Sequence, residues 1–127
     1  MANITVPYIL LIEDDRLIAG LVVSKIRENG YEIDSVITAE EALEKMRVRT
    51  PDLILLDLLL PGMHGFDFLR QIKQDNQFHA IPVVILSNLG AQDEIDRGLA
   101  LGAAKYFVKS NILLDEVVSA IRDLLKR

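Results

Sequence analysis

The chain has no cysteine, no tryptophan, four prolines, only three tyrosines and four phenylalanines as aromatics, and no run of basic residues. Without cysteine there is no disulfide framework and no thiolate metal site. With 14 basic against 19 acidic residues and a formal net charge of -5, no nucleic-acid-binding face is expected on this chain. The longest apolar stretches are broken by Asp57 or by proline and glycine, far short of the roughly 20 residues of a membrane-crossing helix. No N-terminal stretch joins a basic start to a long apolar segment, so the default expectation is a cytoplasmic protein with no membrane partner.

What is present is 127 residues, 50% of them hydrophobic, which suffices for one domain with a real core and is too short for two ordinary ones. A single domain over residues 1–127 is expected, with no linker, repeat or low-complexity segment. Short β-rich runs alternate with helical periodicity five times, the pattern of an α/β fold. Tyr8 to Ile12 has no polar alternation, as suits a central strand covered on both faces. Leu17, Ile18, Leu21, Val22 and Ile26 then recur at helical spacing, with Asp15 as the expected N-cap and Gly30 as the expected C-cap. Tyr31 to Ile37 alternates like a strand near the sheet edge, and Thr38 is placed to cap a helix over Ala39 to Arg47.

Pro51-Asp52 opens a third strand, Leu53 to Asp57, and Pro61-Gly62-Met63-His64-Gly65 forms a turn-rich loop before a helix marked by Phe66, Leu69 and Ile72. Pro82 opens the fourth strand and Asn88-Leu89-Gly90 closes it; Ile95, Leu99 and Ala103 mark the next helix, and Ala104 to Lys109 is strand five. Leu113, Leu114, Val117, Val118, Ile121, Leu124 and Leu125 make a broad stripe on the last helix that should face the sheet.

The apolar runs Tyr8–Ile12, Leu53–Leu56, Val83–Leu86 and Tyr106–Val108 are each followed at once by a polar or charged residue. In an open parallel sheet such residues meet, because ligands bind beyond the carboxyl ends of the strands at a topological switch point. Glu13, Asp14, Asp57, Ser87 and Lys109 should therefore converge. Taken singly each is ordinary: an aspartate at a strand end is usually a turn or cap residue, a lysine there is usually solvated, Ser87 is a loop hydroxyl and Tyr106 a half-buried strand aromatic. His64, in its glycine loop, reads as a surface residue without a catalytic task. Three carboxylates within about 4 Å would repel by roughly 4 kcal/mol per pair at an effective dielectric near 20, so a hard divalent cation with oxygen ligands suits them.

Jointly, Leu11-Ile12-Glu13-Asp14-Asp15, Asp57-Leu58-Leu59-Leu60-Pro61-Gly62-Met63-His64-Gly65, Ser87 and Tyr106-Phe107-Val108-Lys109 resemble the receiver domain of two-component response regulators, over essentially the whole chain. The spacing carries the resemblance: Asp57 lies 43 residues after Asp14, Ser87 lies 30 after Asp57, and Lys109 lies 22 after Ser87. The resemblance implies a flavodoxin-like (βα)5 doubly wound fold with a parallel five-stranded sheet in the order 2-1-3-4-5. It implies Asp57 as phosphoacceptor from a histidine kinase, a histidine phosphotransfer protein or a small phosphodonor, with Lys109 and Ser87 contacting the phosphoryl group. Mg²⁺ (or Mn²⁺) would be held by Asp14 and Asp57 directly, by Glu13 through water and by the Leu59 carbonyl. Ser87 and Tyr106 would be the switch pair, changing the surface of the fourth helix, fifth strand and fifth helix for a downstream target protein or output domain. Leu59 and Leu89 would flank the water that hydrolyses the aspartyl phosphate. Such a chain is a phosphoacceptor switch that takes part in its own phosphorylation and dephosphorylation rather than a conventional enzyme.

Two residues depart from the family pattern. Ser110 stands where proline, often after a cis peptide, is common, and Asn88 where a very small residue is usual, so access to Asp57 and the placement of Lys109 are open to change. Those departures favour one alternative, a degenerate receiver that binds partners without phosphorylation. A haloacid-dehalogenase-like phosphatase, which also uses an aspartyl nucleophile, needs a second aspartate two residues on, where Leu59 stands.

Overall fold

The structure, a computed structural model, describes residues 5–126. Strands β1 (Tyr8–Ile12), β2 (Glu32–Val36), β3 (Leu53–Leu56), β4 (Val83–Ser87) and β5 (Lys105–Val108) alternate with helices α1 (Arg16–Glu28), α2 (Ala39–Val48), α3 (Gly65–Lys73), α4 (Gln92–Ala100) and α5 (Leu114–Leu124). The strands form one parallel sheet in the order β2-β1-β3-β4-β5, the flavodoxin-like doubly wound arrangement expected from the sequence.

The three central strands are buried at every position, which is why their sequences show no polar alternation. Successive side chains leave opposite faces of a strand. Ile9, Leu11, Leu53, Leu55, Val84 and Leu86 pack with Val22 and Ile26 of α1 and Val117 and Ile121 of α5. Leu10, Ile12, Ile54, Leu56, Val83 and Ile85 pack with Ala42 and Met46 of α2 and Phe68, Leu69 and Ile72 of α3. At the edges burial weakens: in β2 only Ile33 and Val36 are buried, and β5 is at best half-buried.

The helix starts follow local chemistry. Asp15 Oδ1 accepts from the amides of Leu17 and Ile18 at 3.0 and 3.1 Å, and Thr38 Oγ1 accepts from Glu41 N at 3.1 Å, both as expected. The C-cap of α1 is Asn29 rather than Gly30, which comes one residue later with φ +90°, the left-handed step that ends the helix. Other expectations need correction. Leu17 and Leu21 are exposed on α1 despite their helical spacing, and Leu113 is 69% exposed because it is the N-cap of α5, outside the buried stripe. Leu99 is also exposed: among its residues α4 buries only Gly98.

Strand register levels the carboxyl ends. Ile12 is opposite both Val36 and Leu56, Leu56 is opposite Ile85, and Ser87 is opposite Val108. Glu13 N donates to the Val36 carbonyl at 2.9 Å and Asp57 N to the Ile12 carbonyl at 3.0 Å, so both acids leave the sheet tied to a neighbouring strand. β1 and β3 are adjacent although β2 lies between them in sequence, which puts the switch point directly between Glu13 and Asp57. Among the described residues no helix is long and apolar enough to cross a membrane.

Candidate functional site

Glu13, Asp14, Asp57, Leu59 and Lys109 line one open cleft of about 270 Å³ at the carboxyl ends of β1 and β3, with Asn88 on its wall. Carboxylate oxygens of Glu13, Asp14 and Asp57 all lie within 4.8 Å of one another. Glu13 and Asp57 are buried, and Asp14 is exposed. An all-oxygen donor set with one exposed member fits a hard divalent cation that keeps part of its water shell.

The Lys109 ammonium bridges the two buried acids, donating to Glu13 Oε1 and, at 3.1 Å, to Asp57 Oδ2. Its side chain is only 11% exposed, so this is a largely desolvated pair in which the partners depend on each other. Burial by itself would lower the Lys109 pKa, but the hydrogen bond it donates to Glu13 and the charge of Asp57 outweigh it and hold the ammonium above its usual range. Glu13 is pushed up, chiefly by burial and also by the Asp57 charge, against the opposing hydrogen bonds from Lys109 and the Asp15 amide. Asp57 Oδ1 accepts a long bond, 3.3 Å, from Leu59 N.

Lys109 begins a single 3-10 turn, Lys109–Asn111, and no cis peptide occurs among the described residues. The Lys109-Ser110 bond is therefore trans, and the lysine reaches both acids without the family's proline. Asn88 is exposed and borders the cleft.

Ser87 is fully buried at the last position of β4 and does not line the acidic cleft; its Oγ accepts from Leu89 N at 3.3 Å. The Tyr106 ring packs on the side of the sheet covered by α2, α3 and α4, and its hydroxyl donates to the Leu89 carbonyl at 2.5 Å. Burial, then the charges of Glu94 and Asp57, raise the Tyr106 pKa. Leu89 itself lines a different cleft, with Phe66, Glu94 and Arg97. Of the two leucines expected beside the hydrolytic water, then, only Leu59 borders the acids, and it is 48% exposed. His64 has a task the sequence reading missed: its Nδ1 caps α3 by accepting from Phe66 N at 3.1 Å.

The profile of the response regulator receiver domain family matches residues 9–122. Among curated proteins, the phosphate regulon transcriptional regulatory protein PhoB of Rhizobium meliloti is 31% identical over 121 residues, covering 95% of this chain and 53% of that protein. The chain thus spans about half the length of that relative. Among solved structures, a putative response regulator from Chloroflexus aurantiacus superimposes with a TM-score of 0.90 at 27% identity, covering 97% of this chain and all of the other. The Mn²⁺-bound form of response regulator Rcp1 does so with a TM-score of 0.81 at 28% identity, covering 95% and 96%. The matched span takes in β1 from Ile9 onward, the other four strands whole and both acid-bearing loops, and on it the chain belongs to the response regulator receiver domain family, the phosphoacceptor module of two-component signalling.

Proposed function

We propose that Asp57 is the residue that accepts the phosphoryl group, from a histidine kinase, a histidine phosphotransfer protein or a small donor such as acetyl phosphate. The observation that carries this reading is Asp57 itself: a buried carboxylate 3.1 Å from the Lys109 ammonium and in reach of two further acids. One Asp57 oxygen attacks phosphorus, the bond from phosphorus to the donor's nitrogen or oxygen breaks, and the donor leaves with the electron pair. Phosphoryl transfer asks the protein mainly for alignment and charge stabilisation. Lys109 supplies a cation against the phosphoryl oxygens. The Ser87 hydroxyl accepts from Leu89 N, which leaves its hydrogen to donate to a phosphoryl oxygen once the β4–α4 loop moves toward Asp57. Tyr106, bonded to the same loop at Leu89, carries that movement to α4, β5 and α5, the surface a downstream target or output domain would read.

Asp14 and Asp57, with Glu13 through water and the Leu59 carbonyl, would hold Mg²⁺ or Mn²⁺, which when bound neutralises carboxylate charge and orients a phosphoryl oxygen. The Mn²⁺-bound state of Rcp1 supports the same class of ion here. Incubation with acetyl phosphate and Mg²⁺ should add a single phosphoryl mass, labile to hydroxylamine as an acyl phosphate is. A protein that stays unlabelled would be the degenerate receiver.

Mg²⁺ should also stabilise the fold, because it relieves repulsion that exists only when the three acids are gathered. A ligand at ten times its dissociation constant adds about 1.4 kcal/mol, a rise of a few degrees in Tm for a domain of this size. A Tm unchanged through a millimolar titration, alike in the parent and Asp14→Ala, would remove the metal site.

The phosphoform should be long-lived. Leu59 borders the acids with an apolar side chain that cannot align a water for in-line attack. Leu59→Asn is expected to speed decay of labelled protein about tenfold, equivalent to about 1.4 kcal/mol of barrier. Leu89→Glu should act more weakly, since Leu89 lines another cleft. Equal or slower decay in Leu59→Asn would show that this leucine does not protect the phosphoryl group.

A further inference from the structure

We propose that Gly98 is a positioning residue for Tyr106: the missing side chain at 98 is what allows the ring to lie where its hydroxyl reaches the Leu89 carbonyl. Gly98 is the one residue that α4 buries, and it sits inside the helix with no positive φ that would call for glycine. Glycine is among the poorest helix formers, so its presence there needs another cause. A Cβ at 98 would stand 2.8 Å from Ile85 Cδ1 and 2.9 and 3.1 Å from Tyr106 Cδ2 and Cε2. Real Cβ atoms essentially never come under 3.0 Å, as the first two would. The Ile85 methyl is the end of a flexible chain and can swing aside, whereas the Tyr106 ring is rigid and its two contacted atoms move together, so it must be displaced as a body, and a turn about its Cα–Cβ bond is the displacement that carries the hydroxyl with it. That turn would break the 2.5 Å bond to Leu89. Gly20, on α1, is the opposite case: nothing lies within 4 Å of the place its Cβ would take.

The consequence is a three-part relay. Leu89 is held at its amide by the Ser87 hydroxyl and at its carbonyl by Tyr106, and Gly98 provides the room for the ring at the far end. Position 98 therefore sets how readily the ring follows the loop. This rests on the reading of Tyr106 as the reporter of Asp57 phosphorylation, while the packing relation between 98 and 106 stands on geometry alone.

The test is a thermal double-mutant cycle on the parent, Gly98→Ala, Tyr106→Ala and the double variant, with Gly20→Ala as calibration. Gly20→Ala should raise Tm by a few degrees with or without Tyr106, as alanine favours an open helix position. Gly98→Ala should give a similar rise when Tyr106 is alanine, and a fall, up to failure to fold, when Tyr106 is present. The Tyr106 ring resonances in Gly98→Ala should move to those of an exposed tyrosine, a signature that general loosening would not confine to one ring. Equal Tm shifts for Gly98→Ala in both backgrounds, or an unmoved Tyr106 ring, would overturn the proposal. Labelling by acetyl phosphate, followed on the same samples, separates the two readings: equal shifts with normal labelling sink Gly98 alone, and coupled shifts without labelling sink the phosphoacceptor assignment alone.

Discussion

Asp57→Asn should abolish incorporation of phosphate from acetyl phosphate, leaving a protein that folds and melts close to the parent. The two halves of this expectation have different causes. An amide has no carboxylate oxygen to form an acyl phosphate, so the loss is complete rather than partial. Its oxygen can still accept from the Lys109 ammonium, which now lies 3.1 Å from Asp57 Oδ2, and one of three mutually repelling acids is gone. Within 4.8 Å and at an effective dielectric near 20, each carboxylate pair repels by at least roughly 3 kcal/mol, comparable to the attraction that the substitution weakens. Intact-mass measurement after labelling, with circular dichroism melts on the same protein, decides it. Asp57→Asn carrying as much hydroxylamine-labile phosphate as the parent would move the acceptor to Asp14 or Glu13.

Much of this architecture was readable from residues because burial on both faces leaves a plain mark. Tyr8–Ile12, Leu53–Leu56 and Val83–Leu86 are apolar without alternation, and these are the strands at the centre of the sheet. Caps at Asp15 and Thr38 were legible because one side chain serves an amide two or three residues away. Where the sequence misled, the deciding contact is distant. Leu17, Leu21, Leu99 and Leu113 have the right spacing for a buried stripe, but which side of a helix meets the sheet is set by the sheet. Tyr8 reads as one more apolar strand residue, although its hydroxyl donates to Asp34 at 2.8 Å, with the Arg49 guanidinium 3.9 Å above its ring, and burial first and that bond next push its pKa up to about 12.

The site divides in the same way. Glu13, Asp14, Asp57 and Lys109 follow strand ends, so topology alone brings them together. Ser87 ends β4 and Leu89 lies just beyond it, yet Ser87 is buried and Leu89 turns to the α3–α4 cleft, because the loop after β4 is drawn toward Tyr106 by a bond that spans 17 positions in sequence. Gly98 carries no signal in the sequence at all; its meaning is the shape of the ring that fills the space beside it.

Lys109→Ala should carry a large cost, and in two separable ways. Transfer should slow by about 10²- to 10³-fold, the usual cost of deleting one fixed charge-stabilising donor, while substrate need rises little. Stability should fall as well, because the ammonium is the only cation bordering this cleft among the described residues and it joins two buried acids. Removing one partner of a buried pair typically costs about 3–5 kcal/mol. Glu13 gives that loss a pH signature. In the parent it already sits above its ordinary 4.5, with Lys109 pulling it back down, so without Lys109 it should rise further. A carboxyl whose folded pKa is raised favours the protonated fold: the penalty is absent below the unfolded value and grows as pH climbs from about 4.5 through the folded value. The Tm gap between parent and Lys109→Ala should therefore be small near pH 4.5 and widen toward neutrality, and Glu13→Gln in the same background should close most of it. A gap independent of pH, or labelling at the parental rate, would mean that Lys109 neither balances Glu13 nor stabilises the transferring phosphoryl group.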